Sequence, residues 1–387
     1  MADRQGLALR RRTETSMSAL MVLLDLPPEP AASGWEHGRA ARDLIAANLA
    51  VYFDRFAREA HLSAAQVRER ARAYLPVIEG ADPGYATALR ALAEGSGLPL
   101  EDLTALNVRY ELLYSQYSAL NRARLRLPSG CTAVAVTPEA SADGHLWLAQ
   151  NWDWFPQVRG VMMRTAGRDG LRVVAFTEAG IVGGKIGLNA AGLGLAVNGL
   201  LSTDDDWARL RSPFHVRTWK ILGLASADDA VEAIAGEERA CSANFLLGQA
   251  DGTARVVDVE AAPRAVRLLS PSGGVLVHAN HFEDSRALGV DQPLAEERAS
   301  TYHRAARARR LLQASRERGG ISRDDLMRVL RDHDGRPESV CRHLNPALPE
   351  EERVQTVVSV VMDLSARRLY VAAGPPCEAD YREIPLA

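Results

Sequence analysis

Cys131 stands directly after Gly130, at the head of the apolar, β-branched run 131–136. Asp153 follows 22 positions later, in Gln150-Asn151-Trp152-Asp153, where the next apolar run closes. A cut between Gly130 and Cys131 would leave a thiol and a new α-amine on one residue, a nucleophile that carries its own base. Gly130 has no Cβ to block the approach of the thiol to the preceding carbonyl. The plainer reading of Cys131 is a small buried hydrophobe at a strand start. Asp153 lies between Trp152 and Trp154. A carboxylate partly desolvated by indoles would hold the α-ammonium and tune its pKa. A free α-amine titrates near 7.7–8.0, so a small shift makes it a competent base at neutrality. A turn-forming aspartate is the alternative.

Asn280 follows the apolar strand 275–277 within His278-Ala279-Asn280-His281-Phe282. A side-chain amide at a strand end suits an oxyanion donor, and a simple turn asparagine fits the spacing equally. His278 and His281 are three apart with no Glu to complete a ligand pattern, so no metal is expected there. Seven glycines between positions 180 and 199 fit no G-x-G-x-x-G register. Gly95-Ser96-Gly97 lacks the flanks of a serine-hydrolase elbow.

Net charge is −3 over 387 residues, which argues against nucleic acid as a partner. The arginine clusters at 10–12, 122–126 and 304–310 therefore read as solvated loops or helix faces. Cys131, Cys241, Cys341 and Cys377 are far apart in sequence, with no C-x-x-C and no zinc-type spacing. Neither a disulfide framework nor a structural metal is expected, and isolated thiols suit a reducing cytoplasm. The apolar run 19–24 is too short to span a bilayer. It reads as a first strand, with a secretory leader behind Arg10 to Arg12 as the competing reading.

These residues need elements to position them. Apolar positions recur at three and four between 35 and 121, predicting helices, with Ser63 as an N-cap and Gly80 and Gly97 as stops. The basic stretch 121–130 reads as an exposed loop, a place where a chain is cut without damage to its fold. After Cys131 the period changes to two. Strands are expected at 132–137, 145–151, 161–165, 171–177, 183–189, 194–198, 244–249, 254–260, 265–269, 275–279, 356–363 and 368–373. Helices are expected at 219–225, 227–234, 297–316 and 323–330. This order implies an α+β arrangement with helices on sheet faces.

Taken together, these residues resemble the isopenicillin N acyltransferase family and its wider relatives, the choloylglycine hydrolases. The resemblance includes Gly34-Trp35-Glu36-His37-Gly38-Arg39, the Gly-Cys-Thr junction, Gln-Asn-Trp-Asp, Gly187-Leu188-Asn189 with Gly192-Leu193-Gly194, Asn280-His281-Phe282 and Arg353-Val354-Gln355-Thr356. It implies a four-layer αββα sandwich of the N-terminal-nucleophile type. Residues 1–130 would form a helical small subunit after autocleavage and 131–387 a catalytic large subunit, together one structural domain.

By the same resemblance Cys131 is the nucleophile exposed by cleavage after Gly130, Asp153 holds its α-amine, and Asn280 is the oxyanion donor. Arg353 is the arginine that lowers the thiol pKa, although it also reads as a surface residue continuing the turn 350–352. Asn198 matches a pocket asparagine, and Trp152, Trp154 and His281 complete the substrate-binding candidates. The choloylglycine branch carries an arginine three residues before the aspartate. Gln150 stands there in this chain, as in the acyltransferase branch.

The activity implied is amide hydrolysis or acyl transfer through a thioester on Cys131, with no cofactor. Partners would be a small-molecule amide or an acyl-CoA and the two cleavage fragments for each other, with no membrane; a homo-oligomer is compatible. Two rivals stand beside this reading: an uncut hydrolase using a Cys131–His281 pair, and a binding homologue without activity.

Overall fold

Strands that are apolar on both faces must be covered on both faces, which dictates layers. The computed structural model describes residues 21–120, 130–166 and 170–386. Arg10 to Arg12 and the basic stretch 121–129 lie outside the described residues. The described residues open with β1 (Val22–Asp25) and six helices, α1 (Pro30–Ala40), α2 (Arg42–Glu59), α3 (Ala64–Ala81), α4 (Pro83–Ser96), α5 (Leu100–Asn107) and α6 (Arg109–Leu120). There follow β2 (Cys131–Val136), β3 (Trp147–Trp154), β4 (Gly160–Ala166), β5 (Arg172–Glu178), β6 (Ile186–Asn189) and β7 (Leu193–Gly199). Helices α7 (Phe214–Leu222) and α8 (Ala227–Ala235) lead to β8 (Ala243–Gln249), β9 (Arg255–Ala261), β10 (Val266–Leu269) and β11 (Val275–His278). Last come α9 (Ala299–Glu317), α10 (Arg323–Leu330), β12 (Gln355–Asp363), β13 (Arg368–Ala373) and β14 (Arg382–Pro385).

The strands form two sheets, in the orders β1-β4-β5-β6-β7-β8-β9-β10 and β11-β2-β3-β12-β13-β14. Helices α7 and α8 cover the first sheet, and α9 and α10 cover the second. The result is the α+β, four-layer αββα sandwich. The main apolar core fills the space between the sheets and extends under α2–α6. A second core lies between the six-stranded sheet and α9 and α10. Gln150 ties the two sheets together: its amide donates to the carbonyl of Val197 and accepts from the Val197 N–H at 3.0 Å. A polar side chain can sit in this dry core because both of its ends are paired.

Several local expectations meet their physical reasons here. Ser63 and Gln66 form a reciprocal capping box at the start of α3. Gly97 ends α4 in the left-handed conformation. Gly80 does not stop α3, which runs on to Ala81 until Asp82, itself the N-cap of α4 ahead of Pro83. The motif around His37 is a packing motif. A Cβ at Gly34 or Gly38 would collide with the backbone of α4, and His37 Nε2 accepts the Gly180 N–H at 3.2 Å. Burial pushes His37 down to about 4, so it is a neutral acceptor at physiological pH.

The expectation of four isolated thiols does not hold. Loops bring Cys341 and Cys377 to 3.5 Å, beside His333 and His343. The final strand β14 was also unforeseen, since Arg382-Glu383-Ile384-Pro385 carries no strong apolar alternation. Among the described residues, no helix is long and apolar enough to cross a membrane.

Candidate active site

Antiparallel pairing gathers one end of four strands. Cys131 pairs with Trp152, Thr356 with Asp153, and His278 with Ala133. The start of β2, the end of β3, the start of β12 and the end of β11 therefore lie at one edge, with Asn280 just beyond β11. Strand β3 runs through Trp154, past the expected end at 151, because β12 continues to pair with it. Asp153 is thus a strand residue and not a turn.

Asn280 Oδ1 accepts the backbone N–H of Cys131 at 2.8 Å, and Asn280 Nδ2 donates to the carbonyl of Gly199 at 3.1 Å. Asp153 Oδ1 accepts the hydroxyl of Thr356 at 2.7 Å, while Asp153 Oδ2 is buried with no hydrogen-bond partner. Gly130 lies against this carboxylate. A Cβ placed on it would stand 2.5 Å from Asp153 Cβ and 2.8 Å from Oδ2, so no larger residue fits ahead of Cys131. The enclosed cavity beside Cys131 is only about 30 Å3 and is lined by Trp152, Trp154, Lys185, Asn280 and Arg109 among others.

The electrostatics follow from burial. Burial pushes the Cys131 thiol up to about 11, and the Asp153 carboxylate adds to the push; the Asp153 backbone N–H, Arg304 and Lys185 oppose it. Burial likewise raises Asp153 to about 6 against the pull of Arg304 and Arg342. In the uncut chain the thiol is therefore protonated at neutral pH. In this uncut chain desolvation outweighs the nearby cations; the lowered pKa expected of the nucleophile belongs to the cut chain.

Arg353 is not brought to the site. Its guanidinium donates to the carbonyls of Leu348 (2.8 Å) and Pro346 (3.3 Å), closing the loop ahead of β12. The arginine that bonds Cys131 among the described residues is Arg304, buried on α9, which donates to the carbonyl of Cys131, to Thr132 Oγ1 (2.7 Å) and to Asn280 Oδ1 (3.0 Å). Asn198 does not line the cavity either: its Nδ2 donates to Asn244 Oδ1 at 2.8 Å. His281 contacts Thr301 Oγ1 (3.1 Å) and the ring of Tyr302, and it too lies off the cavity. Trp152 and Trp154 do line it.

Sequence reasoning missed a cationic group on the opposite wall. Lys185 Nζ lies 3.4 Å from the ring centroid of Trp152 and donates to Glu178, which also accepts from Arg109 and Tyr52. Burial lowers Lys185 to about 8. Although burial opposes it, Arg109 and Lys185 hold Glu178 far below the usual carboxylate range. Two signals were available. Arg304 shares a helical stripe with the buried Thr301, Ala305, Ala308 and Leu312, so it belonged to the covered face of the arginine-rich helix. Lys185 is one of two lysines among 46 basic residues.

A sequence profile of the acyl-coenzyme A:6-aminopenicillanic acid acyl-transferase family matches residues 140–378, more than half of the chain. The chain belongs to this family. It is accordingly an enzyme of the N-terminal-nucleophile amidohydrolase and acyltransferase group. The match begins downstream of Cys131 and spans Asp153, Asn198 and Asn280.

Among solved structures, the chain is similar to the Caenorhabditis elegans N-acylethanolamine-hydrolyzing acid amidase ortholog (15% identity over 61% of this chain and 93% of that one, TM-score 0.44). A mutant conjugated bile acid hydrolase from Clostridium perfringens aligns at 13% identity over 66% of this chain and 92% of that one, with a TM-score of 0.43. Penicillin V acylase from Agrobacterium tumefaciens aligns at 16% identity over 63% and 83%, with a TM-score of 0.41.

Proposed function

We propose that this family member is an autoproteolytic N-terminal-cysteine amidohydrolase or acyltransferase acting through a Cys131 thioester. The observation that carries the reading is the unpartnered Asp153 Oδ2, buried against Gly130, the residue whose bond to Cys131 cleavage would break. A buried carboxylate oxygen without a partner is costly. An α-ammonium at Cys131 would satisfy it, while Asn280 Oδ1 keeps its present bond to the same nitrogen.

In processing, Cys131 Sγ attacks the Gly130 carbonyl, the C–N bond breaks, and the nitrogen leaves as the α-amine. Water then hydrolyses the thioester and releases the Gly130 carboxylate. In turnover, the α-amine takes the thiol proton, the sulfur attacks an acyl carbonyl, and the leaving group takes a proton back. Water or an amine then removes the acyl group. Asn280 Nδ2 has two hydrogens and uses one on Gly199. The second serves the oxyanion. Arg304 and Lys185 supply positive charge where sulfur and oxygen become negative.

The 30 Å3 cavity holds a water or two, whereas small-molecule sites run to roughly 300–1,000 Å3. Gly130 lines this cavity and abuts Asp153, so its release from Cys131 is the step that would widen the site. The two fragments stay together, because β1 pairs with β4 and α2–α6 share the main core with the sheets. No observation favours a Cys131–His281 pair, since His281 is engaged elsewhere.

Two tests belong here. Asn280→Ala removes an oxyanion donor and should lower kcat roughly 100- to 1,000-fold with little change in KM; near-normal kcat would move the oxyanion role elsewhere. The second test uses uncut Cys131→Ala chain, in which Asp153 has no ammonium partner. Its folded value near 6 exceeds the ordinary 3.8, so the folded state binds the proton more tightly. The stability this gives is complete below pH ~4 and is lost as pH rises through ~6, amounting to roughly 2–3 kcal/mol. Asp153→Asn in the same background should flatten that part of the pH dependence in urea unfolding. Identical profiles would mean that Asp153 is already compensated.

A further inference from the structure

Outside the catalytic edge, four side chains from three stretches of chain converge: His333 after α10, Cys341 and His343 in the loop before β12, and Cys377 after β13. Their ligand atoms all lie within 4.8 Å of one another. Cys341 Sγ is 3.5 Å from Cys377 Sγ and 3.6 Å from His343 Nε2. Cys377 Sγ is 3.3 Å from His343 Nε2, and the two histidine Nε2 atoms are 3.2 Å apart.

A disulfide would need sulfurs about 2.05 Å apart. A tetrahedral zinc with Zn–S near 2.3 Å and Zn–N near 2.0–2.1 Å has edges of roughly 3.8 Å for S–S, 3.6 Å for S–N and 3.3 Å for N–N. Four of the six edges, at 3.2–3.6 Å, lie within a few tenths of an ångström of that pattern, and the two from His333 to the sulfurs lie within 4.8 Å. With both thiols deprotonated and both imidazoles neutral, each of the four groups can turn a lone pair toward one cation. His343 Nδ1, the nitrogen turned away from the cluster, lies 3.4 Å from the Glu378 carboxylate, as a metal-bound imidazole's outer partner does. The loop is braced in this shape by Cys341 N–H to Asp332 O (3.0 Å) and His343 N–H to Pro337 O (3.0 Å).

We infer that His333, Cys341, His343 and Cys377 form a tetrahedral Cys2His2 site for a zinc ion. Two thiolates and two imidazoles are the donors zinc prefers over calcium or magnesium, which take oxygen ligands. With four protein ligands the site is closed and structural. Cys341 and His343 are buried while His333 and Cys377 are exposed, which gives the ion a way in.

The consequence reaches the catalytic edge. Between two ligands stands Arg342, whose N–H donates to Thr356 Oγ1 (3.0 Å) and whose carbonyl accepts the Thr356 N–H (3.1 Å). Thr356 in turn holds Asp153. The ion therefore pins the loop that positions the carboxylate.

The test uses the full chain, purified without a histidine tag and passed over chelating resin. Elemental analysis should find one zinc per chain. Cobalt exchanged into the site should show the intense visible bands of a tetrahedral ion and thiolate charge transfer in the near ultraviolet. Cys377→Ser alters an exposed ligand and should lose the zinc and the charge-transfer band, while Cys241→Ser retains both. If Cys377→Ser does not fold, the metal content and cobalt spectrum of the unaltered chain decide. Background zinc with no cobalt thiolate band overturns the proposal. So does a Cys341–Cys377 disulfide found by mass in metal-free protein.

Discussion

Cys131→Ala is expected to remain one uncut polypeptide of 42.0 kDa and to show no turnover above the uncatalysed rate. Two functions end together, because the same sulfur breaks the Gly130–Cys131 bond and later carries the acyl group. The α-amine that serves as base is never formed. Substitution of Cys241, which sits against the carbonyl of Glu111 and does not line the cavity, should leave both intact. A thiol-directed acylating probe should label cut wild-type chain on Cys131 and leave Cys131→Ala unlabelled. Turnover retained in Cys131→Ala would remove the nucleophile from this account.

The largest stability effect is expected at Arg304. Its guanidinium is fully buried and joins the carbonyl of Cys131, Thr132 Oγ1 and Asn280 Oδ1 in one fork. Burial lowers its pKa to about 10, so it stays charged at neutral pH. Arg304→Leu would take this donor from all three acceptors, leaving Asn280 Oδ1 only the Cys131 N–H, and would leave the Asp153 carboxylate without its strongest cation. Removing one partner of a buried ionic network costs about 3–5 kcal/mol. A large drop in melting temperature and loss of processing should follow.

Arg304→Lys keeps the charge but not the planar fork. It should fold, process slowly and shift the pH midpoint of Cys131 alkylation in the cut enzyme, a readout that packing alone would not move. An unchanged melting temperature in Arg304→Leu would show that the fork carries no load.

How much of this was legible in the sequence depends on what each residue type reports. Period-two runs and continuous apolar stretches gave the strands nearly to their ends, because burial on both faces leaves a strong compositional trace. The pairing of Cys131 with Trp152 comes from the short connection between β2 and β3, in which Gly144 takes φ +73°. Cys131, Asp153 and Asn280 were named from chain alone and fall at one edge.

Arg353 was misplaced because proximity to a strand start says nothing about which way a long side chain turns. Arg304 was hidden among arginines that do face solvent, and only its register with Thr301 and Leu312 sets it apart. Asn198 points to Asn244, a choice made by the neighbouring strand. The Cys2His2 cluster escaped because its members come from three loops, and sequence separation between Cys341 and Cys377 carries no trace of their approach.

Mass spectrometry and N-terminal sequencing of the purified, active chain test the central claim most directly. The account predicts fragments of 130 and 257 residues, about 14 and about 28 kDa of the 42.0 kDa total, which co-elute. The larger should begin Cys-Thr-Ala-Val. A catalytically active preparation consisting of a single uncut 387-residue chain would contradict it.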